Sequence, residues 1–260
     1  MTHAMAQNQR FSLEGDVAVV TGAGGSIGHA AAMALAEAGA DLALIGRNVA
    51  KLRETAASVE QIGRRALIVE ADVTDEAKVA SARERVLATF GHVDILFNNA
   101  GITSPKLLVD MPLDEWRNVL DVNLTGAFLC SRAFAEPMIE RRRGRIINMG
   151  SILSGRGMAT RTVYSATKAG LANFGAAMAF ELGPYGITVN TIGATVIVTD
   201  LNRELIRTQP QLYQKVLARS ALGRLGEIED VVGVLVFLAS RAAAFVTGQT
   251  IYVDGGYTAG

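Results

Sequence analysis

The stretch Asp16-Val-Ala-Val-Val-Thr-Gly-Ala-Gly-Gly-Ser-Ile-Gly28 restricts this chain more than any other. Val17, Val19 and Val20 make a short apolar run of β type, 30–38 reads as a helix, and Gly39 stands where that helix would end. The glycines therefore sit at a strand-to-helix junction. Lacking Cβ atoms, such a turn lets backbone N–H groups and the positive end of the helix approach a pyrophosphate. The ligand implied is a dinucleotide. The order Gly22, Ser26, Gly28 departs from the Gly-x-Gly-x-x-Gly spacing of many such turns.

The rest of the chain repeats the same alternation. Short β-type runs at 17–20, 42–45, 66–70, 95–97, 145–149, 188–192 and 250–253 are separated by helical stretches. Strands joined by helices imply a parallel sheet with helices on both faces and a ligand crevice at the carboxyl ends of the strands. The expected fold is a single-domain, Rossmann-type, doubly wound α/β sheet of about seven strands. That domain would occupy 11–260, after a flexible tail at 1–10. The Gly22 turn, Asp72, Asn98 to Gly101 and Ser151 all fall just beyond predicted strand ends, so they should converge. The long connection at 193–215 is expected to carry short helices and to act as a substrate lid.

Composition removes several classes. The chain has 260 residues, half of them hydrophobic, enough to bury one substantial core. Its 25 Lys and Arg balance 25 Asp and Glu, so no basic excess points to nucleic acid or to an anionic membrane. Cys130 is the single cysteine and can form no internal disulfide. No apolar run reaches the roughly 18 residues of a membrane span, and 1–10 lacks the apolar centre of a secretory signal. A cytoplasmic protein without nucleic-acid or membrane partners is expected, and no metal site is read.

Tyr164-Ser-Ala-Thr-Lys168 supplies candidate chemistry. Positions i and i+4 share a helix face, so the Lys168 charge can approach the Tyr164 hydroxyl. A neighbouring cation favours phenolate, and the expectation is a Tyr164 pKa lowered toward the useful range of an acid/base group.

Taken in order, Thr21-Gly22, Asp72-Val73, Asn98-Asn99-Ala100-Gly101, Asn123, Ser151, Tyr164, Lys168 and Asp254-Gly255-Gly256 resemble the signature of the short-chain dehydrogenase/reductase family over nearly the whole chain. The resemblance implies hydride transfer between a nicotinamide cofactor and an alcohol or carbonyl. It makes Tyr164 the proton donor or acceptor, Lys168 its partner and a holder of the nicotinamide ribose, Ser151 the group on the substrate oxygen, and Asn123 the anchor of a relay water. It places Gly22, Ser26, Ile27 and Gly28 on the cofactor turn and Asp72 on the adenine, with Val73 and Asn99 also on the cofactor. The Ile197 backbone and the Thr199 hydroxyl would hold the carboxamide. It further implies a homotetramer built on two long helices and the last strand.

Cofactor choice turns on Gly46 and Arg47. An acid at the first position would bond the ribose diol and repel a 2′-phosphate. Its absence, with Arg47 following, favours NADP and leaves NAD open. Two positions depart from the family pattern: Ser26 replaces a glycine, and Ala194-Thr195 replaces Pro-Gly. The chain is most similar in look to polyol, sugar and sugar-acid dehydrogenases, and also to 3-oxoacyl carrier-protein reductases. Arg156, Arg161, Arg203 and Arg207 are the residues that could meet an anionic substrate. A protein of another class, nucleotide-binding, regulatory and catalytically silent, would keep the same motifs around the cofactor.

Overall fold

A computed structural model describes residues 9–260; of the tail expected at 1–10, residues 1–8 lie outside the described residues. Strands β1 (Val17–Thr21), β2 (Asp41–Gly46), β3 (Ala66–Glu70), β4 (Ile95–Asn98), β5 (Gly144–Met149), β6 (Ile187–Ala194) and β7 (Thr250–Val253) form one sheet. Its order is β3-β2-β1-β4-β5-β6-β7, and every pairing is parallel. Chain order reverses between β1 and β4, which opens a crevice above their carboxyl ends.

The strands are apolar almost throughout because both faces are covered. On one face, Ala18, Val20, Leu42 and Leu44 pack against α1 (Ser26–Glu37), α2 (Val49–Gln61) and α9 (Ile228–Ala239). On the other, Val17, Val19, Ala43 and Leu96 meet α3 (Glu76–Phe90), α5 (Gly126–Arg141) and α6 (Thr162–Leu182). The period-two alternation of a strand thus feeds two separate cores.

The start of α1 and the end of β6 differ from the sequence reading, and two further features of the helices were not read from it. Helix α1 starts at Ser26, four positions before the expected 30, because Gly25 takes an extended N-cap conformation (φ −87°, ψ 162°) and the turn passes straight into the helix. Strand β6 runs to Ala194, where a proline would have removed a ladder donor; Gly193 pairs with Tyr252 and Ala194 with Val253. Asp72 does not cap α3. Asp75 does, accepting from the Lys78 N–H at 3.1 Å. Finally, α4 (Leu113–Leu120) passes into α5 through a π turn, Asp121–Thr125, in which the Gly126 N–H reaches back to the Asp121 carbonyl. The stretch expected to hold short helices carries α7 (Asp200–Thr208) and α8 (Gln214–Arg219). Among the described residues no helix is long and apolar enough to cross a membrane.

Candidate active site

A cleft of about 470 Å³ lies over the β1/β4 crevice. Its floor is the glycine turn. Gly22 has φ +66°, a left-handed conformation open to glycine at little cost, and a Cβ there would stand 3.0 Å from the Ala100 Cα. Gly28 is tighter still: a Cβ would fall 2.2 Å from the Gly22 carbonyl oxygen. No side chain among the described residues caps α1, so the first-turn N–H groups of Ser26, Ile27 and Gly28 are left to a ligand. Thr21 ties the turn to β4: its Oγ1 accepts from the Asn99 and Ala100 N–H groups at 3.0 and 3.1 Å. The Asn99 Nδ2 completes the tie by donating to the Thr21 carbonyl at 3.0 Å. Asn99 therefore shapes the turn while it lines the cleft.

The far wall carries Arg47, Asp72 and Val73. Arg47 and Asp72 face each other at 3.5 Å. Burial pushes the Asp72 carboxyl up, and the Thr74 backbone and hydroxyl donors together with Arg47 outweigh it, so its pKa lies below the ordinary value. An anion-binding helix end, a carboxylate and a guanidinium along one cleft fit a dinucleotide with its phosphates and adenosine ribose. Gly46 lines the same wall. Thr199 reaches the cleft from beyond β6, whereas Ile197 sits behind it, buried, with its carbonyl taken by the Asn202 Nδ2 at 2.8 Å.

The candidate acid/base residues lie beyond Gly101, which lines the cleft. A Cβ at Gly101 would lie 3.3 Å from the Asn123 Oδ1 and 3.7 Å from the Lys168 Nζ. Asn123, 2% exposed in the π turn, clamps the Ile102 backbone in both directions: Oδ1 accepts its N–H at 2.8 Å and Nδ2 donates to its carbonyl at 2.9 Å. Nδ2 also donates to the Thr167 Oγ1, which in turn donates to the Tyr164 carbonyl at 2.8 Å. Asn123 and Thr167 thus fix α6 against the β4 loop. Thr167 was hidden within the Tyr-x-x-x-Lys spacer, where only its position one residue before Lys168 could have marked it.

Lys168 is 4% exposed and donates to the Met149 carbonyl at 2.6 Å. Burial pulls its ammonium down to about 8. The Tyr164 ring lies 5.5 Å from the Lys168 Nζ and packs on Ile152, Leu153 and Tyr257. Its phenol is raised above the ordinary value, because desolvation outweighs the lowering by the Ser151 hydroxyl and the Arg161 charge. The expected depression by Lys168 is thus absent; that ammonium is spent on the Met149 carbonyl. Ser151 caps the turn Ile152–Ser154, accepting from the Leu153 N–H at 3.2 Å, which leaves its own O–H to donate. Asp254 accepts from the Gly256 and Thr258 N–H groups, both at 2.9 Å, and so folds Tyr257 onto the Tyr164 cluster. Cys130 is buried, its thiol pushed up to about 12, and takes no part. Among the described residues no group of His, Cys, Asp and Glu is placed to hold a metal ion.

A protonated phenol, a hydroxyl donor and a buried ammonium beside a cleft that fits a dinucleotide can exchange a proton with an alcohol or carbonyl oxygen. The chain is similar to known proteins over nearly its whole length. A family model described as Enoyl-(Acyl carrier protein) reductase matches residues 22–258. The 3-oxoacyl-[acyl-carrier-protein] reductase FabG of Escherichia coli is 39% identical over 246 residues, 95% of this chain and 98% of that protein. The crystal structure of a gluconate 5-dehydrogenase from Burkholderia cenocepacia in complex with NADP and tartrate superposes with a TM-score of 0.93 at 36% identity, covering 98% of this chain and 99% of that one. An NAD+-bound xylitol dehydrogenase gives 0.89 at 33% identity, covering 94% and 99%. Full-length matches at this identity, together with the ordered motifs and the shared sheet, show that the chain belongs to the short-chain dehydrogenase/reductase family of oxidoreductases.

Proposed function

We propose that the protein interconverts an alcohol and a carbonyl on a polyol, sugar or sugar acid, with NADP favoured over NAD as cofactor. What carries the reading is the clustering of Ser151, Tyr164 and Lys168 beyond Gly101, a residue that lines the cleft. The bound nicotinamide supplies or accepts the hydride. Ser151, whose hydroxyl faces the Tyr164 phenol, donates its O–H to the substrate oxygen and steadies the charge that develops there. Tyr164, held protonated at neutral pH by its apolar surroundings, gives its proton to that oxygen in reduction and takes it back in oxidation. Lys168, its Nζ 5.5 Å from the Tyr164 ring centroid, keeps two N–H groups besides the one on the Met149 carbonyl, and these would hold the nicotinamide ribose. Asn123, with one Oδ1 lone pair left after its clamp on Ile102, anchors the water that returns the proton.

On the cofactor side, Ser26, Ile27 and Gly28 hold the pyrophosphate, and the Ser26 hydroxyl adds a donor where the family carries glycine. Asp72, Val73 and Asn99 border the adenosine, and Arg47 meets a 2′-phosphate. Thr199 holds the carboxamide. Ile197 offers only its N–H there, since its carbonyl is occupied. Helices α7 and α8 form the lid. A homotetramer suits the apolar groove between α5 and α6, lined by Phe128, Phe174 and Met178, and the exposed Phe180 and Phe245. A cytoplasmic location suits the single buried thiol.

The 39% identity to 3-oxoacyl-[acyl-carrier-protein] reductases supports that activity as the second reading. A nicotinamide absorbance assay that crosses NAD and NADP with polyols, sugar acids, ketoses and 3-oxoacyl thioesters decides between them. Turnover of sugar-type substrates is expected; turnover of the thioesters alone selects the second reading, and cofactor binding without turnover selects a silent regulatory protein.

A further inference from the structure

Four arginines were candidates for an anionic substrate, and the structure gives them different partners. The Arg156 guanidinium is bonded to the Thr258 carbonyl, Arg203 lies 3.9 Å from Asp200, and Arg207 makes a two-pronged bond to Glu204 at 2.6 and 2.9 Å. Lys106, whose backbone bridges to Arg161, is ion-paired to Glu115, which Ser104 holds from the other side. Arg161 is the exception. Among the described residues neither it nor Arg156 forms an ion pair with a carboxylate, but Arg156 is held on the Thr258 carbonyl, whereas the one side-chain bond of Arg161 runs from Nη1 to the Thr103 Oγ1 at 3.1 Å and its charge is the one that reaches Tyr164.

Arg161 is also held in place. Its backbone forms a parallel bridge with Lys106, and its N–H closes a turn on the Met158 carbonyl at 3.1 Å. The preceding residue, Thr160, has φ +64°. That left-handed conformation is strained for a β-branched side chain, and it persists only where the surroundings enforce it. Arg161 sits at the N-cap of α6, three residues before Tyr164, and its charge bears on the Tyr164 phenol. A strained turn, a backbone bridge and one hydroxyl bond thus fix a guanidinium beside the proton donor with most of its N–H groups free.

We propose that Arg161 is the specificity-determining contact for the substrate, and that it binds the carboxylate of a polyhydroxy acid while Tyr164 and Ser151 meet the reacting oxygen further along the same carbon chain. This assignment rests on the sugar-type reading of the site. A planar guanidinium with free parallel N–H groups matches a carboxylate in two-pronged fashion. One guanidinium carries one positive charge, which matches a carboxylate better than the double charge of a phosphomonoester.

The test compares each aldonate with the alditol of the same configuration, D-gluconate and D-glucitol first and then shorter pairs, in wild type, Arg161→Gln and Arg161→Lys. The members of a pair differ only in the terminal carboxylate, so any effect of Arg161 on Tyr164 cancels in the ratio of their kcat/KM values. Wild type is expected to prefer the aldonate. Arg161→Gln should lower the aldonate-to-alditol ratio about 10- to 100-fold, mainly through KM, as loss of a charge-assisted pair does. Arg161→Lys should recover part of it. An unchanged ratio in Arg161→Gln, or a wild-type preference for the alditol of every pair, overturns the assignment and leaves the sugar-type reading standing. If wild type oxidises no member of any pair yet reduces 3-oxoacyl thioesters, the sugar-type reading fails and the assignment falls with it.

Discussion

Lys168→Met should make the ligand-free protein more stable at neutral pH while abolishing its chemistry. The Lys168 ammonium is buried, and desolvation lowers it from an ordinary 10.5 to about 8. That depression is equivalent to about 3 kcal/mol withheld from the native state at pH 7. The unfolded chain holds the proton more firmly than the folded one between about 8 and 10.5, so native stability rises with pH through that window. Methionine is similar in volume and uncharged, and the change removes the penalty. It also leaves the Met149 carbonyl without its donor at 2.6 Å, a loss of about 1 kcal/mol. A net gain of about 2 kcal/mol is therefore expected at pH 7. At pH 10 the wild type has shed most of its penalty, which falls below about 1 kcal/mol, and the advantage of the variant should vanish. Urea unfolding of both proteins at pH 7 and pH 10, at one protein concentration and without cofactor, measures the difference. A gap between variant and wild type that is the same at both pH values would refute the burial of a penalised charge.

Two further substitutions probe the cleft. Gly46→Asp adds a carboxylate where a ribose diol or a 2′-phosphate would lie; its Cβ meets the Leu52 Cδ2 at 3.3 Å, a contact that a flexible side chain can relieve. The NADP-to-NAD ratio of kcat/KM should fall by about tenfold or more, and an unchanged ratio removes the cofactor argument. Gly28→Ala drives a Cβ to 2.2 Å from the Gly22 carbonyl oxygen, backbone against backbone. It should cost at least about 2 kcal/mol in unfolding and weaken dinucleotide binding; titration of NADPH into a variant of normal stability and affinity would show that the turn is looser than described.

The strands were legible because each buried run is short, apolar and bounded by turn residues, and both faces of the sheet demand such runs. The clustering of Tyr164 and Lys168 with Ser151 was legible as their spacing in the chain. Its electrostatics were not. Whether Lys168 lowers the Tyr164 pKa depends on where the ammonium finds an acceptor, and the Met149 carbonyl is nineteen residues away in sequence. The Asn123 clamp on Ile102 is likewise a contact across the fold, invisible to local spacing. Arg161 could be named from its place before Tyr164, but its distinction from Arg156, Arg203 and Arg207 lies in their partners. The left-handed Thr160 has no local signal at all, since a β-branched residue argues against that conformation. The start of α1 was misplaced because a glycine N-cap carries none of the Ser, Thr, Asp or Asn pattern by which helix starts are read.

The central claim is that the Tyr164 phenol carries the transferred proton. Its most direct test compares wild type with Tyr164→Phe on a turned-over substrate, following nicotinamide absorbance for activity and titrating NADPH for binding. Removing the hydroxyl leaves the ring packed on Ile152, Leu153 and Tyr257, so binding should hold while kcat falls by about 100-fold or more. Undiminished turnover in Tyr164→Phe with normal cofactor affinity would contradict the account.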